Sequence, residues 1–543
     1  MLWWHLNSLR PTTLPPLFSP ADSLFFRPFP LQITHLPDPN RINSPRAPLS
    51  PPARPMSTRK LSVSVINRTE EEFTRERAQD HVKVFKNADP SLHPFQKARE
   101  YTRSLNAVKL EKMFAKPFLY ALDGHADGVY SMARVNTSLA HIVSGDGDGV
   151  VKLWHLGTQR NLWTGRAHIG RVRGVTTDPY GEFAFACGVD KTVKMWEGNR
   201  RKLVNNASTG LLGLSAQDAA ESGQAVEEEE EADDSDMYSK GRTVKPLNVF
   251  LGKNMFSGID HHRQQSQFAT SGVQVDIWDH ERADPVHSFQ WGADSVLTVK
   301  YNPIDVNVLL STAADRSIVL YDVRAKMPLR KLLLTNLTSS VSWNPMESFN
   351  FVAANDDCNL YTFDMRKLDQ AVFVHEDHVA AVTSVDFAPT GKEFVSGSWD
   401  KTVRIWSADA PRSRDVYHTK RMQKVFSVLA SQDNRFALSG SDDTNIRLWK
   451  MRATEQLGQL APRQVAARQY RDKLLDRYQH APEVARIKRD QRHLPKAIVR
   501  QHKERRTIRD AAAKREDKRR KFSGGDKDEV KTRRQERIIA VIK

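Results

Sequence analysis

Cysteine is almost missing from this chain: 543 residues hold two, Cys187 and Cys358, far apart and neither in a CxxC pair. That scarcity excludes a disulfide framework and leaves no thiolate set for zinc, so no metal and no cofactor is expected. Both read as small buried blade residues of a reducing compartment. Long apolar runs are missing too; none approaches the roughly 20 residues that cross a bilayer, and no membrane partner is expected. Residues 1–55 lack lysine and glutamate and instead hold 13 of the 27 prolines, five arginines and a loose cluster of Phe25, Phe26 and Phe29. The prolines argue against an amphipathic organelle presequence, which leaves a disordered Pro-rich extension or a gene-model artefact with the true start at Met56.

What is present is a repeat. Six times an aspartate precedes an aromatic by six residues: Asp148 and Trp154, Asp190 and Trp196, Asp315 and Tyr321, Asp357 and Phe363, Asp400 and Trp406, Asp443 and Trp449. The aromatics step by 42 or 43, and Trp278 falls 43 before Tyr321, so seven units are counted. A period in the low forties with Trp at strand ends is that of propeller blades. A histidine opens several units 28 or 29 residues before the aromatic: His125, His168 and His378. Within the sixth unit, short β-branched runs alternate with the turns Pro389-Thr390-Gly391 and Ser398-Trp399-Asp400-Lys401. That pattern describes a four-stranded antiparallel blade, in which the turn aspartate can bind the imidazole at the blade's start, with Ser396 and the indole as further partners. Gly145, Gly147 and Gly149 form a Gly-x-Gly-x-Gly run, but it lies in a strand-to-strand turn and opens no helix, which excludes a dinucleotide site. A Ser, a His and an Asp in each unit could suggest a hydrolase triad, yet their recurrence from blade to blade fits a scaffold, and no enzyme is expected.

These repeats, with Gly124-His125, Asp148 and Trp154 in the first, resemble the WD-repeat family. The resemblance implies an all-β seven-bladed propeller over residues 117–450, closed by Pro117 to Leu122 completing the last blade. Gly272 stands in the third aspartate's place, Arg421 in the seventh histidine's, and Tyr321 and Phe363 end blades four and five, so blades three, four, five and seven are expected to be less rigidly tied. Two flanking segments narrow the resemblance: Asp89 to Phe95 with Arg99-Glu100-Tyr101 and Phe114 to Phe118 before the propeller, and Arg492 to Ile498 after it. They are similar to the WD-repeat and SOF domain family of nucleolar ribosome-assembly factors, as is the ending Ile538 to Lys543. This divides the chain into residues 56–116 as an N-terminal family extension, the propeller, and residues 451–543 as a basic α-helical SOF-type extension. The resemblance implies a structural subunit of the small-subunit processome in nucleolus and nucleus, with processome proteins, a small nucleolar ribonucleoprotein and precursor 18S ribosomal RNA as partners.

Charge is unevenly placed. The net balance is +17, and from Arg463 to Lys543 there are 27 Lys and Arg against 12 Asp and Glu, 27 − 12 = +15. Helices are expected over Arg463–Tyr478 and Pro495–Phe522, the second with a thin apolar seam of Ile498, Ile508 and Ala512 that needs a partner. Lys514, Arg515, Lys518, Arg519, Arg520 and Lys521 crowd one end of it and read as RNA or ribonucleoprotein contacts, a nuclear import signal, or a solvated face. Glu227 to Asp236, eight of ten acidic, lies in an insertion of about residues 198–245 and reads as a disordered loop. Finally, Tyr321-Asp322-Val323-Arg324 and Phe363-Asp364-Met365-Arg366 look like the docking signature of cullin-RING ubiquitin ligase substrate receptors, in which each arginine meets the adaptor. That offers a second function.

Overall fold

The computed structural model describes residues 90–198, 242–291, 294–489, 493–522 and 532–542. The expectations for residues 1–55 and for Glu227 to Asp236 fall outside the described residues. Seven sheets, each built on four antiparallel strands, form a ring in which each innermost strand packs beside the next, and Val425–Ala430 of blade 7 closes onto Val129–Arg134 of blade 1. Each short β-branched run forms one strand, and the middle strands are buried on both faces between neighbouring blades, as Glu393–Ser398 is along its whole length. In blade 6, Val382–Phe387, Glu393–Ser398, Val403–Ser407 and Ser413–Tyr417 follow one another outward, and Phe387, Phe394, Val395 and Trp406 are buried between this blade and its neighbours. The strand Phe118–Leu122 pairs with Ile446–Lys450 and supplies the outer strand of blade 7, so the ring is latched by the start of its own chain.

Because strands alternate in direction, the turns between second and third strands share one face, here the upper, with the links between blades. Turns after the first and third strands share the lower face. The upper turns use one backbone shape: Lys191, Arg316, Cys358, Lys401 and Thr444 all adopt positive φ at the residue after the turn aspartate. In blade 1 that place belongs to Gly149, where a Cβ would collide with the His168 carbonyl.

Two sheets carry a fifth strand. Arg242–Thr243 runs parallel to Arg160–Arg166 of blade 1, and the C-terminal Ile538–Ile542 pairs antiparallel with Met327–Leu334 of blade 4. The insertion falls between the third and fourth strands of blade 2, whose outer strand is Asn248–Leu251.

Outside the ring are α1 (Gln96–Phe114), α2 (Pro462–Arg477), α3 (Pro482–Arg489) and α4 (Lys496–Phe522). Two of the tail helices fall where expected; α3 was not expected, although Pro482 opens it as Pro462 opens α2. Helix α1 packs on α2 and α3, burying Ala107 and Val108 on its side and Leu474 and Val484 on theirs. Around that small core Arg477 reaches Glu100 at 2.8 Å, and the Tyr101 hydroxyl donates to Glu483 at 3.0 Å. The segment before the propeller and the segment after it thus make one helical unit.

Candidate functional site

The hydrogen-bond network within each blade fixes the surfaces that the blade presents. In blade 6, Trp406 Nε1 donates to Ser396 Oγ at 2.7 Å, His378 Nε2 lies 2.7 Å from the same oxygen, and His378 Nδ1 lies 3.0 Å from Asp400. With the indole hydrogen on its oxygen, the serine hydroxyl donates to Nε2 and the Nδ1–H to the carboxylate, which is a neutral imidazole. Burial agrees, pushing His378 below its ordinary range. The order Asp–His–Ser matches a hydrolase triad in connectivity, but Ser396 is 0 % exposed and its oxygen is already engaged by Trp406. No substrate carbonyl can reach it, and the trio serves as a strut.

Blade 1 repeats the strut with one change. His125 bonds Ser144 at 2.7 Å, Trp154 donates to Ser144 at 2.8 Å, but the carboxylate is Asp146 at 2.9 Å. Asp148, expected as the partner, is exposed at the tip of the turn. Asp146 still belongs to the second strand, where its side chain points inward to the imidazole and also caps the Val150 N–H at 2.7 Å. Blade 2 keeps His168 on Asp190 at 2.8 Å, but Ala186 replaces the serine and the Trp196 indole N–H is left without an acceptor.

The blades expected to be looser have other ties. Asp315 of blade 4 holds Lys331 at 2.7 Å; Asp357 of blade 5 holds the Tyr361 hydroxyl; Asp443 of blade 7 holds Arg447 at 2.9 Å while Trp449 donates to Ser439 at 2.8 Å. A cation or phenol does the work of the missing imidazole, from the fourth strand in blade 4 and from the strand just after the turn in blades 5 and 7. In blade 3, where Gly272 leaves no carboxylate, Trp278 still donates to Thr270 at 2.8 Å. Both cysteines are free and buried, and burial pushes the Cys187 thiol up to about 12.

Arg324 and Arg366, the arginines of the two aromatic-Asp-x-Arg turns, stand on the lower face in matching turns. Asp322 caps the Arg324 N–H and Asp364 caps the Arg366 N–H, each at 2.9 Å. Arg366 forks onto Asp364 through Nε at 3.1 Å and Nη2 at 2.9 Å, and its guanidinium lies 4.0 Å from the Phe349 ring centroid. Arg324 is held by Asn307, whose amide oxygen, turned toward it, accepts from Nε at 3.0 Å. Both arginines are exposed and pre-oriented. Arg330 donates to the Arg366 carbonyl at 2.7 Å, so the turn of blade 5 is fixed to blade 4.

Helix α4 meets the upper face, and here the apolar seam is a correction. Ile498 is buried, but Ile508 is 68 % exposed. The docked side is polar: His502 lies 3.4 Å from Asp377, Arg505 donates to the Val379 carbonyl at 2.9 Å, and Arg509 pairs with Glu376 at 2.6 Å. Positions 498, 502, 505 and 509 form one helical face. Burial alone would raise Asp377, but hydrogen bonds from His502 and Ser413 and the Arg404 charge hold it down to about 2. Past this contact Lys514, Arg515, Lys518, Arg519 and Lys521 are exposed; the side chain of Arg520 lies outside the described residues.

Residues 451–538 match the Sof1-like domain, and residues 116–155, 159–197, 370–407 and 416–450 match the WD domain, G-beta repeat. The unmatched stretch contains blades 3 to 5: blade 3 keeps Trp278 but has Gly272 in place of its aspartate, and blades 4 and 5 end in Tyr321 and Phe363. "DDB1- and CUL4-associated factor 13" of Xenopus laevis is 44% identical over 482 residues, covering 89% of this chain and 100% of that protein. The Homo sapiens protein of the same name is 46% identical over 484 residues, again covering 89% and 100%. "Protein SOF1" of Saccharomyces cerevisiae is 40% identical over 450 residues, covering 81% of this chain and 86% of its own. The similarity is therefore to proteins of the scaffold and adaptor kind.

Proposed function

The chain belongs to the WD-repeat family with a Sof1-like C-terminal domain, and from that membership we propose that it is a non-catalytic scaffold of the small-subunit processome, acting in precursor 18S ribosomal RNA processing in the nucleolus. The observation that carries this reading is α4. One of its faces is anchored on Glu376, Asp377 and the Val379 carbonyl, which leaves the run from Lys514 to Lys521 projecting from a rigid base. Such a run contacts phosphates without reading sequence. Replacing Lys514, Arg515, Lys518, Arg519 and Lys521 by alanine is expected to remove most in-cell crosslinks to precursor ribosomal RNA and small nucleolar RNA, and to lower the salt slope of RNA binding by roughly 0.7 per lost phosphate contact. Unchanged crosslinks in a variant that still enters the nucleolus would count against the tail as the RNA contact.

The docking arginines favour a second function, that of a substrate receptor in a cullin-RING ligase. The relatives' name associates them with DDB1 and CUL4, and Arg324 and Arg366 are the exposed, pre-oriented pair that a carboxylate-bearing adaptor surface needs. Arg324→Ala with Arg366→Ala is expected to cut adaptor pull-down at least tenfold, with RNA crosslinks unaltered because the arginines occupy the lower face. Equal adaptor recovery from wild type and double variant would remove this reading.

A further inference from the structure

The upper face carries a group that neither function uses. Tyr130, second residue of the innermost strand of blade 1, stacks on Phe426, which holds the same place in blade 7, with centroids 4.4 Å apart and planes 19° apart. The Arg171 guanidinium covers Tyr130 at 3.9 Å from the ring centroid and donates to its hydroxyl at 3.2 Å. Arg171 and Arg173 are both exposed and stand side by side, close enough that the Arg171 charge, after burial, depresses Arg173. Next to Phe426, Lys424 Nζ lies 4.6 Å from the Trp399 ring, and that indole is 48 % exposed. Lys401 is exposed in the same turn. The carboxylates facing Tyr130 are Asp127, whose Oδ1 accepts the Gly128 N–H at 2.7 Å, and Asp442. The surface thus runs from blade 6 through blade 7 and blade 1 to blade 2, on the face where α4 is anchored at His378 and Val379.

We propose that this surface is a stacking platform for single-stranded RNA, with bases on the outer plane of Arg171 and on Trp399 and phosphates at Arg173, Lys401 and Lys424. Planar π and guanidinium faces bind any unpaired base, whereas a duplex hides those faces and an acidic peptide has none to offer. The proposal rests on the ribosomal RNA reading above and adds to it the place where unpaired bases are held; the tail supplies phosphate contacts alone.

The test uses the full chain and fluorescence anisotropy with labelled oligouridine and a labelled RNA duplex of the same length. Arg171→Ala with Arg173→Ala, and separately Trp399→Ala, are expected to weaken oligouridine binding about tenfold and duplex binding less than twofold. These side chains are exposed, so both variants should melt as wild type does. The five-residue tail variant is expected to weaken both probes alike. Loss of oligouridine binding in the tail variant with none in either platform variant overturns the platform and leaves the RNA reading standing. If the wild-type chain binds neither probe, the RNA reading falls and the platform falls with it.

Discussion

Acidification from pH 6.5 toward 4 is expected to unfold the propeller before its carboxylates titrate. His125, His168, His261, His262, His375 and His378 are all buried, and burial holds each below the ordinary imidazole value of 6.5, His261 and His375 down to about 4. Below pH 6.5 the unfolded chain takes up these protons and the folded chain does not, so the unfolded state binds more protons and stability falls with pH until each folded value is reached. For His261 and His375 the window from 6.5 to about 4 corresponds to a loss of about 3 kcal/mol each. His125, His168, His262 and His378 act in the same direction, and a loss of this size is comparable with the whole stability of an ordinary domain. The carboxylates that gain from folding, Asp377 and Asp400 among them, have lowered values and give up their contribution only below the ordinary Asp value of 3.8. Urea midpoints at pH 7.5, 6.5, 5.5 and 4.5 should stay level over the first step and then fall steeply. A level midpoint down to pH 5 would show that the imidazoles are protonated within the fold.

These struts also show what a sequence can convey. The ring, its seven units and its closure by Phe118 to Leu122 were legible because a period of 42 or 43 repeats the same local chemistry, and each unit needs only its neighbour. Asp148 misled because spacing to Trp154 fixes the position of the turn but not which of two aspartates, 146 or 148, faces inward. The docking side of α4 was not legible at all. An apolar seam is sought where apolar residues recur, whereas His502, Arg505 and Arg509 read as solvated until Glu376 and the Val379 carbonyl are placed opposite them. The helical unit of α1 with α2 and α3 was equally hidden, since its core is a few small contacts between segments more than 340 residues apart. The residues of the two proposed functions occupy opposite faces, so one molecule can carry both.

Ile538→Asp is expected to release the C-terminal strand from blade 4 and to expose amides that the wild-type fold protects. Ile538 is 7 % exposed and shares a core with Leu332, Leu334, Leu320 and Phe363, and Val541 packs against the same cluster. Four pairings, from Lys331 with Ile542 to Leu334 with Ile538, bind the strand to the edge of the sheet, and the Thr335 N–H donates to the Arg537 carbonyl at 3.0 Å. A carboxylate placed among these apolar side chains loses its hydration, so the strand leaves rather than bury it, at a cost of about 3 kcal/mol. Hydrogen exchange at residues 331–335 should then accelerate on the order of 100-fold, with the innermost strand Val296–Tyr301 unchanged. Unaltered protection at 331–335 would mean that the edge is stable without its fifth strand. The expected release bears on how the tail is studied. Ending the chain after Leu460 removes this strand and also the partners of Ala107 and Val108, so the loss of RNA crosslinks in such a truncation would mix an opened sheet edge and a bared helix with the loss of basic charge. Substitution of Lys514, Arg515, Lys518, Arg519 and Lys521 beyond the α4 anchor separates the charge from the fold, because those side chains are exposed.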